Sequence, residues 1–263
     1  MQQRADRILT THVGSLPRPE WLLESFASGA AAEDFDERLR GAVQEVVARQ
    51  VELGLDIVND GEFSKSTGAR RPKYGHLTWV SYIHDRLSGF EWIESELKPV
   101  SSKDRTRFES FYDVPLPRDA HAWVCTGPIE YIGQKAVAQD IENLKSAVAE
   151  REVIGAFLPV ASPSSVQALF ANRHYETDQE YGWALAEAMQ HEYGAIAAAG
   201  LVVQVDDPVL AAEWDAAPED LAMSDYRKVI EERVEMLNHA LSAVPAEQIR
   251  YHLCWGGWHG PHA

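Results

Sequence analysis

Cysteine is scarce in this chain: Cys125 and Cys254 are the only two among 263 residues. Two cysteines make no disulfide framework, so the simplest setting is a reducing cytoplasm, with Cys254 available as a metal ligand. Positive charge is also short. Lys and Arg number 24 against 41 Asp and Glu, a net charge of -17. So acidic a chain argues against nucleic acid or anionic membrane as a partner, and leaves small molecules open. No apolar run is long enough to span a bilayer, and Met1 to Asp6 is polar, unlike a signal peptide. No Gly-x-Gly-x-x-Gly follows the first strand-like stretch, which disfavours a dinucleotide-binding sheet. Low-complexity segments and sequence repeats are absent too.

What the chain does have is alternation. Short apolar runs at Ile8 to Leu16, Leu55 to Asn59, Ala122 to Cys125, Val153 to Val160, Leu201 to Val205 and Ile249 to Cys254 read as six strands. Helical patterns lie between them at Asp34 to Leu53, Gln134 to Glu150, Asp178 to Ala199 and Ser224 to Ala243, with Gly54 and Gly200 as stops and Ser224 as an N-cap. Residues 64–120 read as an irregular insertion after strand two. Strands alternating with helices imply parallel βα units. Nearly every strand ends in a polar or Gly/Pro-rich turn, where a (β/α)8 barrel of the TIM type carries its active site. The expectation is one α/β domain over residues 1–263: an incomplete barrel of about six βα units. It would lack a C-terminal segment on the order of 100 residues, judged by the size of such barrels. Its open edges would call for a complementing chain or a second copy.

Chemistry concentrates at the strand ends. His252 and Cys254 stand two apart at the mouth of the last strand, so both point to one side. Imidazole and thiolate are good zinc ligands. A lone His-x-Cys is more often a buried cysteine beside a hydrogen-bonded histidine, but the glycines that follow and the acidic groups at other strand ends favour a site. Trp255, Trp258, His259 and His262 cluster nearby, the histidines reading better as a tail than as ligands. Asp206, sharing a face with Gln204, could hold a substrate ammonium or act as a turn residue; the two readings are about equal. Glu62 follows Gly61 at the end of strand two and could instead be a solvated loop carboxylate. Gly14 and Ser15 could bind a carboxylate or phosphate, or simply turn the chain. His12 faces inward or outward depending on register. Asp60 and Asp207 read as structural.

Taken in order, these segments resemble the catalytic barrel of cobalamin-independent methionine synthase and its shorter homologues. Thr10-Thr11-His12-Val13-Gly14-Ser15-Leu16-Pro17-Arg18-Pro19 looks like the barrel's opening. Val58-Asn59-Asp60-Gly61-Glu62-Phe63 is similar to its Gly-Glu turn, and Cys125-Thr126-Gly127-Pro128 to its Leu-Thr-Gly-Pro. Gln204-Val205-Asp206-Asp207-Pro208-Val209-Leu210 resembles its Gln-Ile-Asp-Glu-Pro-Ala-Leu, and His252-Leu253-Cys254 its first two zinc ligands. The likeness runs from about residue 8 to the end and is strongest to the single-barrel branch that includes epoxyalkane:coenzyme M transferase.

The resemblance implies zinc as cofactor, with His252 and Cys254 as ligands. It implies transfer of a methyl group from 5-methyltetrahydrofolate, or a related donor, to a thiol such as homocysteine, giving methionine. Glu62 and Asp206 would hold the amino group of the thiol substrate, and the Gly14-Ser15 backbone its carboxylate. The family's other zinc ligands, a Glu and a second Cys, and its general-acid histidine match nothing in residues 1–263, so the catalytic acid is left unassigned. Two alternatives are zinc-dependent opening of an epoxide by a thiol, and a catalytically incomplete module that only binds. The uroporphyrinogen decarboxylase side of the barrel superfamily needs no zinc, and the His-x-Cys pair argues against it.

Overall fold

The computed structural model describes residues 6–28, 34–65, 78–94, 103–110, 121–218 and 220–254. Within them a parallel sheet forms the centre. Its strands are β1 (Ile57–Val58), β4 (Gly155–Ala161), β6 (Val202–Asp206) and β7 (Ile249–His252), hydrogen-bonded in that order. The N-terminal segment adds a position beside β1 through one parallel bridge, Thr11 to Ile57. Every residue of β6, and all but the first of β4, is buried. Runs such as Ala-Phe-Leu-Pro-Val-Ala suit a strand covered on both faces.

The helices that follow the sequence pattern cover one face. They are α2 (Phe35–Glu52), α5 (Gln134–Val148), α7 (Asp178–Ala198) and α9 (Met223–Ala240). α2 packs on β1, α5 on β4 and α7 on β6, and each helix also contacts the next. The core between these layers includes Val43, Val47, Leu144, Leu158, Leu185, Tyr193, Ile196, Val203 and Val205. Thr177 begins α7 as a capping residue, its hydroxyl accepting from the Glu180 amide at 3.1 Å. Gly54 and Gly200 end α2 and α7 with positive φ, as the sequence predicts.

Four expectations need correction. Ile8 to Leu16 is not a full strand, because its register with β1 extends to a single bridge. The stretch ending at Cys125 is a strand, β3 (His121–Cys125), but it does not belong to the parallel sheet. It pairs antiparallel with β2 (Phe90–Glu94) and parallel with β5 (Ala171–Asn172) in a separate three-stranded sheet. The parallel sheet thus has five positions rather than six, and among the described residues it does not close. The insertion is not wholly irregular: besides β2 it contains α3 (Thr78–His84) and α4 (Lys103–Arg107). The Ser162-Pro163-Ser164-Ser165 turn opens a helix, α6 (Pro163–Leu169), capped by Ser162, whereas Ser224 is not a cap, since α9 begins one residue earlier after Ala222.

Candidate functional site

The turn after β1 is built to hold Glu62. Gly61 and Glu62 are both left-handed, with φ of 69° and 59°. A glutamate in that region is strained by roughly 1–3 kcal/mol, so local bonds must hold it. The Asp60 carboxylate supplies one, its Oδ1 accepting from the Glu62 amide at 2.9 Å. Arg18 supplies another, donating from Nη2 to the Glu62 carbonyl at 2.8 Å and to the Lys65 carbonyl at 3.3 Å. The Glu62 side chain is buried, and the Ser15 hydroxyl donates to its Oε2 at 2.5 Å. Ser15 follows Gly14, whose φ is 84°. Two segments 47 residues apart are thereby joined, both chosen from sequence.

Asp206 ends β6 on the face shared with Gln204, as the two-residue period requires, and Gln204 Nε2 donates to its Oδ1 at 2.8 Å. Burial pushes the Asp206 carboxyl up to about 7, against the pull of nearby Lys65. It is not the cap of the following helix, α8 (Val209–Ala216). That end is served by Asp207, whose Oδ1 accepts from the Leu210 amide at 3.4 Å. Asp207 also accepts from Ser164 and from Tyr251 Oη, a structural knot at the strand ends.

His252 is the register partner of Asp206 across the β6–β7 ladder. Along Arg250 to Cys254 exposure alternates: Tyr251 and Leu253 are 45% and 48% exposed, while Arg250, His252 and Cys254 are half-buried. The pair therefore shares the sheltered side. Burial and the charge of Arg250 lower the His252 pKa, which favours the neutral imidazole a metal requires, while Glu62 pulls the other way. Glu62 is close enough to influence Asp206 as well. Serine 15, Glu62, Asp206 and His252 thus come together from four segments. Among the described residues no group of three or more His, Cys, Asp or Glu is placed to hold a metal ion. His252 and Cys254 contribute an imidazole and a thiol to this side of the strand. Trp255, Gly256, Gly257, Trp258, His259 and His262 lie outside the described residues.

Sequence reasoning passed over three cations. Lys65 is buried, donating from Nζ to the Pro159 carbonyl and lying over the rings of Trp79 and Tyr82, 4.5 and 5.0 Å from their centroids. No local signal marks a loop lysine as buried. Arg18 and Arg250 were within reach of the pattern. Arg250 stands two residues before His252, on the same face by alternation.

No family model matches the chain. Curated relatives do. The methionine synthase of Sulfolobus acidocaldarius is 24% identical over 252 residues, 94% of this chain and 61% of its own length. That of Saccharolobus islandicus is 25% identical over 253 residues, 94% of this chain and 62% of its own. The chain therefore spans about three fifths of the length of the curated relatives it matches. Among solved structures, a B12-independent methionine synthase from Shewanella sp. W3-18-1, in complex with selenomethionine, superposes with a TM-score of 0.66. The match has 19% sequence identity and covers 94% of this chain and 61% of that one, a likeness of fold.

Proposed function

We propose that this chain, similar to methionine synthases over 94% of its length, carries the thiol-binding part of a zinc-dependent, cobalamin-independent methyl transfer. The acceptor is a thiol such as homocysteine, and the donor is 5-methyltetrahydrofolate or a related compound. One observation carries the reading: Ser15, Glu62, Asp206 and His252, each picked out by the resemblance, meet at one end of the parallel sheet.

The five-position sheet is, in this reading, one side of a (β/α)8 barrel. Its curl supports that. In a flat sheet the first and fifth positions lie about 19 Å apart, beyond the reach of one side chain. Yet Arg250 of β7 donates to Thr11 Oγ1 at 3.0 Å and to the His12 carbonyl at 3.2 Å. On its way it lies over the ring of Phe157 in β4, 4.2 Å from the centroid. The sheet has to bend around this residue, as a barrel wall does.

His252 and Cys254 would hold the metal. Bound zinc would keep the substrate sulfur as thiolate, the nucleophilic form, at neutral pH. Glu62 and Asp206 would bind the substrate ammonium and fix the direction of the sulfur, and the Gly14-Ser15 backbone would receive the carboxylate. As the sulfur–methyl bond forms, the bond from methyl to donor nitrogen breaks and its electron pair stays on nitrogen. That nitrogen then needs a proton from an acid, which the resemblance does not place in residues 1–263. Addition of a thiol to an epoxide is not favoured, since the curated relatives are named methionine synthases.

Zinc per chain, measured by elemental analysis with and without homocysteine, tests the proposal. Wild-type protein should retain zinc, up to about one per chain, when the thiol is present. Cys254→Ser should lose most of it while its circular dichroism is unchanged. Equal zinc in the two proteins would remove Cys254 from the ligand set.

A further inference from the structure

Arg250 is an unusual residue to find beside a proposed metal pair. Its guanidinium has five N–H donors in a rigid fork. Two bonds are accounted for, to Thr11 Oγ1 and the His12 carbonyl, and both acceptors are neutral. Among the described residues no carboxylate lies within ion-pair distance of it. The guanidinium lies 4.2 Å over the Phe157 ring centroid and is held by two hydrogen bonds, so part of its freedom is already lost before it binds something. The group is half-buried, not sealed. Its two acceptors belong to the segment that leads into Gly14 and Ser15. Arg18 flanks the same segment, with its Nη2 bonded to the carbonyls of Glu62 and Lys65, closing the turn.

We propose that Arg250 is a specificity-determining residue that, beside the Gly14-Ser15 backbone, recognises the carboxylate at the far end of the thiol acceptor. The inference rests on the thiol-transfer reading and adds the group that selects the acceptor's charge. Residues two apart on a strand stand about 7 Å from each other. A sulfur held at His252 and Cys254 and a carboxylate held at Arg250 are therefore spanned by a spacer of a few carbons. A neutral thiol leaves the fork with only the charge of Asp206, beyond ion-pair distance, and a thiol with only an ammonium meets a like charge.

Calorimetric titration of the full chain in the presence of zinc tests this with three probes: 3-mercaptopropionate, 2-mercaptoethanol and propionate. Wild-type protein should bind 3-mercaptopropionate about tenfold more tightly than 2-mercaptoethanol, the margin of one charge-assisted contact. Arg250→Met should abolish the margin and keep the affinity for 2-mercaptoethanol. Arg250→Lys keeps the charge but not the fork. It should retain a reduced margin of about threefold, and it decides the matter where circular dichroism shows the methionine variant unfolded. An equal affinity of wild type for the two thiols overturns the inference and spares the thiol reading, as does a full margin in the lysine variant. Equal binding of propionate and 3-mercaptopropionate, with none of 2-mercaptoethanol, sustains the role of Arg250 and sinks the thiol reading. Absence of binding by all three overturns both.

Discussion

Asp60 shows what one buried group can cost. Its Oδ1 caps the Glu62 amide, while its Oδ2 is buried with no hydrogen-bond partner among the described residues. Burial raises its pKa from 3.8 to about 6, with Lys65 opposing the shift. A carboxyl with a raised folded pKa favours the fold fully below its unfolded pKa, and that contribution is lost as pH rises through the folded value. Asparagine keeps the capping oxygen and cannot ionise. Between about pH 4.5 and about pH 7.5, the stability of Asp60→Asn relative to wild type should therefore rise by about 2 kcal/mol. Urea unfolding at the two pH values measures the change, and a constant difference would mean that Asp60 is not buried as described. The strained Gly61–Glu62 turn accounts for the arrangement.

Between elements, a buried ionic cluster ties distant segments together. Arg86, just beyond α3, pairs with Asp140 of α5 at 2.5 Å and with Glu192 of α7 at 3.1 Å. Tyr82 of α3 donates to Glu192 at 2.6 Å, and its ring lies under the Arg86 guanidinium. Burial alone would lower the Arg86 pKa, but its two carboxylates outweigh this and hold it firmly charged. Burial raises the Glu192 pKa, with Arg86 as the main opposing influence. Replacing the ion pairs by a single apolar residue leaves two carboxylates buried and unpaired, a loss of about 3–5 kcal/mol. Arg86→Met should lower stability by that amount in urea unfolding at neutral pH. A change below about 1 kcal/mol would show that solvent reaches the cluster. The tie matters because α3 and β2 come from the insertion, and the cluster fastens them to helices that support the sheet.

Over the whole molecule, excess acid dominates. A net charge of -17 repels itself in the compact state more than in the unfolded chain. Added salt shortens the Debye length from about 30 Å at 0.01 M to about 10 Å at 0.1 M. The melting temperature should rise by a few degrees over that range, on the order of 1 kcal/mol of stability. Scanning calorimetry at several sodium chloride concentrations gives the slope. A falling melting temperature would show that surface ion pairs such as Arg49–Glu52 and Lys228–Asp225 outweigh the general repulsion. No helix among the described residues is long and apolar enough to cross a membrane.

The sequence by itself determined the βα alternation, the buried strands and the four covering helices, because those depend on local periodicity. It also placed Ser15, Glu62, Asp206 and His252 at strand ends, where short polar turns announce themselves. Pairing is a different matter. The stretch ending at Cys125 is strand-like in any sheet, and only its partners, β2 and β5, put it outside the parallel one. The same is true of burial for polar groups. Lys65 and Arg86 look like solvated cations in sequence, and their depth depends on rings and carboxylates brought from distant segments. Only the tertiary structure decided the reach of Arg250, since a bond between residues 239 apart exists when the sheet curls and vanishes when it is flat.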